Sequence, residues 1–396
     1  MEQKRFVYMD HAATTYTKKE VVDAMLPYFT EYFGNASSIY SFARQSKKAV
    51  EEAREKVAVA IGAKSDEIFF TAGGSEADNW AVKGIASANR KKGNHIITTS
   101  IEHHAMLHTC EYLEKNGFEV TYLSVDADGK INLEELKNSI TDKTILISIM
   151  FANNEIGTIQ PIVEIGKIAK EKGIYFHTDA VQAIGNIEID VKELNIDMLS
   201  LAGHKFYGPK GVGVLYIRKG VRIDNLIHGG GQERRRRAGT ENLPGIVGLG
   251  KAIELATADI EGHNKKIINY REKLLNGILE KIPNTKLNGH RTDRLPGNIN
   301  VSFEFIEGES LLLLLDAAGV AGSTGSACSS GSLDPSHVLL AIGLPHEMAH
   351  GSLRLSLGDL TTDEDIDYML EVLPKIVQRL RDMSPLYSNY INKGDK

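Results

Sequence analysis

The sequence predicts an α/β fold: a large domain built on a mostly parallel sheet with helices on both faces, and a smaller α+β domain beside it. Three observations lead there. Short apolar runs alternate with helical patterns of ten or more residues through the first half of the chain, the signature of parallel strands joined by crossover helices. At 396 residues the chain exceeds the ~250–300 at which a single core stops growing. Beyond a long helical stretch, Asn242 to Ile282, the order of elements changes. The division drawn from this is a large domain over residues 16–260, with residues 1–15 and 261–396 forming the small one.

The elements follow in order. FVYMD near the N-terminus reads as extended, and KKEVVDAMLPYFTEYF carries a helical pattern. The loop GNASS leads to RQSKKAVEEAREKVAVAIG, whose apolar residues recur at helical spacing. EIFFT then runs through TAGGSE into the helix EADNWAVKGIASANRKKG, and HIITTS precedes EHHAMLHTCEYLEKNG. TILISIMFA passes through NNEIG to IVEIGKIAKEKG, and IYFHTDA follows. After SLAGHKFYGPKG, the run GVGVLYIRKG reads as a closing strand. The small domain contributes NINVSFEF, the helix SLLLLLDAAG, SLRLSLG and a last helix opened by a capping box at Thr361-x-x-Glu364. DGKINLEEL resembles a calcium loop at Asp126 and Asp128, but its glycine falls at loop position 4 rather than 6, so it reads as a turn.

Composition narrows the function. A net charge of −6 argues against nucleic acid or an anionic membrane as partner, and the basic run Arg234 to Arg237 reads as a solvated or interface face. Two cysteines, Cys110 and Cys328, fit a reducing compartment and exclude a disulfide framework. The N-terminal MEQKRFVYMDHAATT has no apolar signal region, and the leucine run Leu311 to Leu315 stops at Asp316, far short of the ~18–20 residues that span a bilayer. A cytoplasmic protein is expected.

In a sheet of this kind the ligand sits beyond the carboxyl ends of the strands. The polar residues of note gather there: Gly74 and Ser75, His103, Asn154, Asp179 and Lys205. Lys205 lies between a histidine and a glycine-rich turn, and a lysine amine that loses its proton in a dry or cationic cleft can form a Schiff base with an aldehyde cofactor. A P-loop is excluded because Pro209 follows Gly208 where that motif needs its lysine. Pyridoxal phosphate is the aldehyde that fits. It demands a carboxylate for its pyridinium nitrogen, a flat partner for its ring and donors for its phosphate. Asp179 ends a strand, where it either serves the ring nitrogen or makes a structural hydrogen bond; Gln182 can donate to the ring oxygen, and His103 offers a flat face. Gly74 and Ser75 open a helix whose free N–H groups suit a phosphate, although an ordinary capped turn looks the same. His104 and His108 are four apart on a helix, but no third ligand is spaced to complete a metal site, and no metal is expected. Cys110 shares a helical face with Met106, Leu107 and Leu113 and reads as packing. Cys328 instead lies in GSTGSACSSGS, a small-residue tract that predicts a mobile loop and a reactive thiol. Arg354 in SLRLSLG can grip a substrate carboxylate with its two-pronged fork.

With GHKFYGPKG, HTDAVQAIG, FANNEIG, RRAGTEN and GSACSSGSLDPSH in place, the chain resembles the cysteine desulfurases of the NifS/IscS type. These belong to the class-V aminotransferase group of fold-type I pyridoxal-phosphate enzymes. The likeness runs from YMDHAATT to RLRDMSPLY. It implies Lys205 as the Schiff-base lysine, His103 stacked on the ring, Asp179 on the pyridinium nitrogen, and Asn154 and Gln182 on the cofactor. Gly74, Ser75 and His204 would hold the phosphate, with Thr240 reaching the phosphate of a second subunit, so that the enzyme is a homodimer. Arg354, with Asn154, would bind the substrate, and Cys328 would accept its sulfur; Lys205, His103 and Cys328 form the catalytic set. Ala202 stands where relatives commonly carry a phosphate-binding serine, which bears on cofactor affinity. DHAATT, GNASS and AGGSEADN are further departures from the usual pattern.

The resemblance thus implies a cytoplasmic homodimer, with no nucleic-acid or membrane partner, that converts L-cysteine to L-alanine. Its sulfur passes as a persulfide on Cys328 to an iron–sulfur scaffold or another acceptor protein. An aminotransferase on the same fold would keep Lys205 without needing the loop cysteine. A selenocysteine lyase is a second rival. A non-catalytic binding platform has no reason to combine a Schiff-base site with a reactive thiol.

Overall fold

The computed structural model describes residues 5–324 and 335–394. Its main sheet has seven strands, in the spatial order Ile68–Thr71, Gly213–Ile217, Met198–Ala202, Tyr175–Asp179, Thr144–Ser148, His95–Thr99, Glu119–Leu123. Gly213–Ile217 runs antiparallel to both neighbours, and every other pair is parallel. The expected closing strand therefore lies inside the sheet, because Ile68–Thr71 pairs outside it. The edge strand Glu119–Leu123 is half-exposed and carries polar residues, which is why no apolar run announces it.

Alternate residues of each strand feed opposite faces. Phe70, Ile97, Ile147, Phe176 and Leu199 join a core with the helices Ala43–Ala60, Ile162–Lys172 and Leu243–Ala256. Their neighbours Phe69, Ile96, Leu146 and Met198 join a second core with Gly74–Asn89 and His104–Glu114. The chain's one tryptophan, Trp80, is fully buried in that second layer, edge-on to Phe69 with centroids 5.8 Å apart, and its indole N–H donates to Asp224 O at 2.9 Å.

A separate core lies around the three-stranded antiparallel sheet Ser352–Ser356, Asn298–Phe303, Thr285–Leu287. The helices Ile260–Lys281, Gly308–Ala317 and Asp363–Asp382 pack Leu274, Leu311, Met369 and Leu373 against it, and Val7 and Met9 of the N-terminal segment join them.

Three local expectations are corrected. KKEVVDAMLPYFTEYF is two short helices, Lys19–Met25 and Pro27–Thr30; proline has no N–H to give to the preceding turn, so a new helix starts there. The stretch from Asn242 to Ile282 splits into Leu243–Ala256 and Ile260–Lys281, because the Asp259 side chain accepts from Gly262 N and caps a fresh start. The capping box of the last long helix is Thr362 with Asp365, one residue later than expected; Thr361 is occupied in accepting the N–H of Gly358.

The basic run is also more structured than a solvated face. Glu233, Arg234 and Arg235 all have left-handed backbones, with φ of 44°, 57° and 65°. The turn is anchored by a buried ion pair in which both Arg54 Nη atoms donate to Glu233, at 2.8 and 2.9 Å, while Phe70 N donates to the same carboxylate. On the surface between the first helices, Phe29, Phe33, Ile39, Tyr40 and Phe42 are all exposed, Ile39 to 98 %.

Candidate active site

At the carboxyl ends of the strands the structure encloses a cavity of about 300 Å³ lined by Gly74, Ser75, His103, Asn154, Asp179, Gln182, Ala202, His204, Lys205 and Arg354. Residues up to 280 positions apart in sequence thus meet because each follows, ends or lies within a strand. Two sequence-predicted site residues are not among them. Thr240 is exposed and does not line this cavity, and Cys328 lies outside the described residues.

Lys205 closes a 3₁₀ turn, Gly203–Lys205, directly after the strand Met198–Ala202. Its Nζ donates to the carbonyls of Ala12 and Ala13, the latter at 2.9 Å, so the N-terminal segment holds the amine in the cavity wall. Gln182 donates to the same Ala12 carbonyl at 3.0 Å. Asp179 ends its strand and accepts the N–H of Val181 at 2.9 Å. Burial pushes its carboxyl up to about 6, against the opposing pull of that N–H and of the Lys205 charge.

His103 caps the helix His104–Glu114, its Nδ1 accepting from Ala105 N at 3.2 Å. Burial, then the charge of Lys205, lowers its imidazole to about 4, so it is neutral near pH 7. His204 is also lowered to about 4, by burial and by Lys205 and Lys210, and its Nδ1 meets the Thr14 hydroxyl at 3.1 Å. Neutral rings can stack or accept where charged ones would repel the lysine.

The corner around Gly74, expected from the sequence to hold a phosphate, is built by close approach. Gly73, with φ of 153°, takes a backbone that glycine tolerates and leads into the helix Gly74–Asn89. A Cβ on Gly74 would lie 2.9 Å from Val181, and one on Gly213 only 2.8 Å from Gly73, so the turn lies flat on the sheet. The Ala202 methyl faces this corner, 3.7 Å from where a Gly74 Cβ would be.

Asn153, one residue before Asn154, is fully buried; its side chain accepts from Glu155 N and Ile156 N and donates to Ile101 O. That turn aims Asn154 at the cavity. Arg354, in the middle of the strand Ser352–Ser356, is 2 % exposed. Its Nη2 donates to Asp10 at 2.9 Å and its Nη1 to Asn154 O at 3.2 Å, while its Nε is buried without a partner. A guanidinium fixed on one side and unfilled on the other suits a carboxylate.

Sequence reasoning missed Asp78, which also lines the cavity, and Asp10. Asp78 is four residues after Gly74, one helical turn on, a spacing that was there to be read. Nothing local signals Asp10, whose partner is 344 positions away. The histidine pair does gain a neighbour: His337 lies 4.8 Å from His104, ring centre to ring centre. Among the described residues, however, no three His, Cys, Asp or Glu side chains are arranged to hold a metal ion. Cys110 is buried, and burial pushes its thiol up to about 12, the state of an inert packing residue.

Comparison with known proteins agrees with this geometry. The family model "Aminotransferase class-V" matches residues 7–369. The chain is 67 % identical over 393 residues to a protein named cysteine desulfurase IscS from Clostridium botulinum (strain Hall), covering 98 % of this chain and 99 % of that one. It is 68 % identical over 384 residues to a protein of the same name from Methanosarcina thermophila, covering 97 % and 95 %. Among solved structures, a NifS-like protein matches with a TM-score of 0.90 at 41 % identity, over 95 % of this chain and all of that one. A structure described as SspA in complex with cysteine matches with a TM-score of 0.79 at 40 % identity, over 90 % of this chain and all of that one.

Proposed function

The chain belongs to the class-V aminotransferase family, and within it to the cysteine desulfurases; from that membership we propose how its own residues carry out the reaction. The enzyme takes the sulfur from L-cysteine, leaves L-alanine and supplies sulfur for iron–sulfur assembly. The observation that carries the assignment of roles is the single cavity that joins an amine, a buried carboxyl, a neutral imidazole and a half-engaged guanidinium.

The residues present fit pyridoxal 5'-phosphate, the cofactor of this family. Asp179 offers a carboxylate at the cavity floor, His103 an uncharged ring, and Gly74 and Ser75 a helix start with open N–H groups. When bound, the cofactor supplies an aldehyde for the substrate amine and a ring that takes up the electron pair released at the α-carbon.

Arg354 holds the cysteine carboxylate, with Asn154 beside it. Lys205 takes the α-proton and later returns one, its amine kept aimed by the Ala12 and Ala13 carbonyls. His103, neutral, would lie against the cofactor ring and can pass a proton to the departing side. The Cys328 thiolate attacks the substrate sulfur: an S–S bond forms, the C–S bond breaks, and its electron pair remains on the substrate carbon, which takes a proton to become the methyl group of alanine.

A homodimer belongs to the same proposal, supported by the exposed Phe29, Phe33, Ile39, Tyr40 and Phe42 and by the absence of Thr240 from the lining of its own cavity. So do the domain division at 16–260, supported by the separate apolar cores, an acceptor protein for the persulfide, and a cytoplasmic location. Among the described residues no helix is long and apolar enough to cross a membrane.

The test separates the half of the reaction that needs the Cys328 thiol from the half that does not. In Cys328→Ala, cysteine should still perturb the cofactor spectrum and exchange its α-proton with deuterated water, while alanine and sulfide fall to background. Alanine formed at the wild-type rate would refute the persulfide route in favour of a simple elimination.

A further inference from the structure

Beneath the cavity floor lies a buried polar chain that the reaction as described does not use. His177, on the same strand and face as Asp179, is fully buried. Its Nδ1 meets the Ser148 hydroxyl at 2.7 Å and its Nε2 the Ser200 hydroxyl at 2.9 Å. Asp78, a helix residue 1 % exposed, lines the cavity with Asp179 and lies beside this chain.

Asp78 Oδ1 is buried with no hydrogen-bond partner; the nearest ring nitrogen, His177 Nε2, is 3.8 Å away. Glu102 has the same form: Oε1 accepts from Thr99 and Met150 N, and Oε2 has no partner. Asp179 differs in receiving the Val181 N–H and in feeling the Lys205 charge. Three carboxyls in one dry region cannot all be charged, and an oxygen without a donor is where a proton rests.

We propose that Asp78 is a positioning residue for the ring-nitrogen carboxylate: as a neutral acid beside Asp179 and the Ser148–His177–Ser200 chain, it confines the floor to one negative charge. The groups facing it are Asp179, Glu102 and His177, with Lys205 and His103 across the cavity. Burial and the Asp179 charge raise Asp78 well above the carboxylate range, burial raises Glu102 to about 8, and burial lowers His177 to about 3. All three agree with neutral partners around a single anion. The inference rests on the cofactor reading, since it concerns the charge offered to a protonated ring.

Asp78→Asn copies the shape of the neutral acid, and Asp78→Ala removes it. The asparagine variant should keep cofactor affinity and absorption spectrum within about twofold of wild type, while the alanine variant, which leaves a buried gap beside the Asp179 carboxylate, should lose at least about tenfold in affinity. A wild-type-minus-Asn infrared difference spectrum at neutral pH should show the carbonyl stretch of a protonated carboxylic acid. The apoprotein adds a pH test. A carboxyl whose folded value is raised keeps its proton while the unfolded chain has released its own from about pH 4 upward, so folding stability falls as pH rises towards the folded value. The melting-temperature difference should therefore grow in favour of Asp78→Asn as pH rises.

Equal loss of cofactor in both variants, or no acid band, would show that Asp78 works as an anion and overturn the proposal. Full affinity in Asp78→Ala would overturn it as well. If Asp78→Ala fails to fold, the infrared band and the asparagine variant still decide. Wild-type protein that takes up no pyridoxal phosphate would instead defeat the cofactor reading on which the inference stands.

Discussion

Replacing Arg354 by lysine keeps the positive charge and removes the fork. The guanidinium now spends Nη2 on Asp10 and Nη1 on the Asn154 carbonyl, and its Nε has no partner. A lysine in this strand can satisfy Asp10 or an incoming carboxylate, but not both in the bidentate manner. The loss is one charge-assisted hydrogen bond in a site 2 % exposed, worth about 1.5–3 kcal/mol. At 1.4 kcal/mol per decade that is a rise in KM for cysteine of about 10- to 100-fold. Cofactor content should not change, because neither partner of Arg354, the Asn154 carbonyl or Asp10, is assigned to the phosphate or the ring nitrogen. Steady-state kinetics over a wide cysteine range, with cofactor absorbance recorded on the same samples, tests both halves. A KM within twofold of wild type, or a cofactor loss that parallels the KM change, would refute the assignment of Arg354 to the substrate carboxylate.

Two further outcomes follow from local geometry. Ala202→Ser should slow cofactor loss on dialysis, since a hydroxyl at this buried corner beside Gly74 adds at best one hydrogen bond to a charged group, about 1.5–3 kcal/mol; equal or faster loss would mean the position does not face the phosphate. Glu233→Gln leaves Arg54 charged and 3 % exposed with only the half-exposed Glu51 as counter-ion, which should lower unfolding free energy in urea by about 3 kcal/mol; a change under about 1 kcal/mol would show that the left-handed turn is held by other contacts.

The residues legible in the sequence were those whose role is tied to a strand end. Lys205, Asp179, His103 and Asn154 each follow or end an apolar run, and the rule that ligands gather at carboxyl ends placed them together before any coordinates. The elements that were missed lack local apolar contrast. Glu119–Leu123 is an edge strand with one exposed side, and Leu133–Ser139 is a short helix capped by Asn132 whose acidic first turn reads as loop. The capping box slipped by a residue because Thr361 and Thr362, with Glu364 and Asp365, offer two registers, and only the Gly358 contact selects between them. The hidden part of the site is the part that depends on burial. Asp78 is one acidic residue among many until its helix is laid on the sheet, and Asp10 becomes a partner for Arg354 only when the two ends of the chain are brought together.

Trp80 has an optical consequence. It is the only indole in the chain, it is sealed from solvent, and it lies on the helix that begins at Gly74, six residues and about 9 Å of helix axis from that cavity-lining glycine. Its near-ultraviolet emission falls where a lysine-bound pyridoxal absorbs, so a loaded site drains its fluorescence by energy transfer. Loss of the helical layer would instead shift the same emission to the red as water reaches the ring. One native fluorophore thus gives two distinguishable signals, dimming for occupancy and reddening for unfolding, and every variant described above can be followed in a cuvette with no label attached.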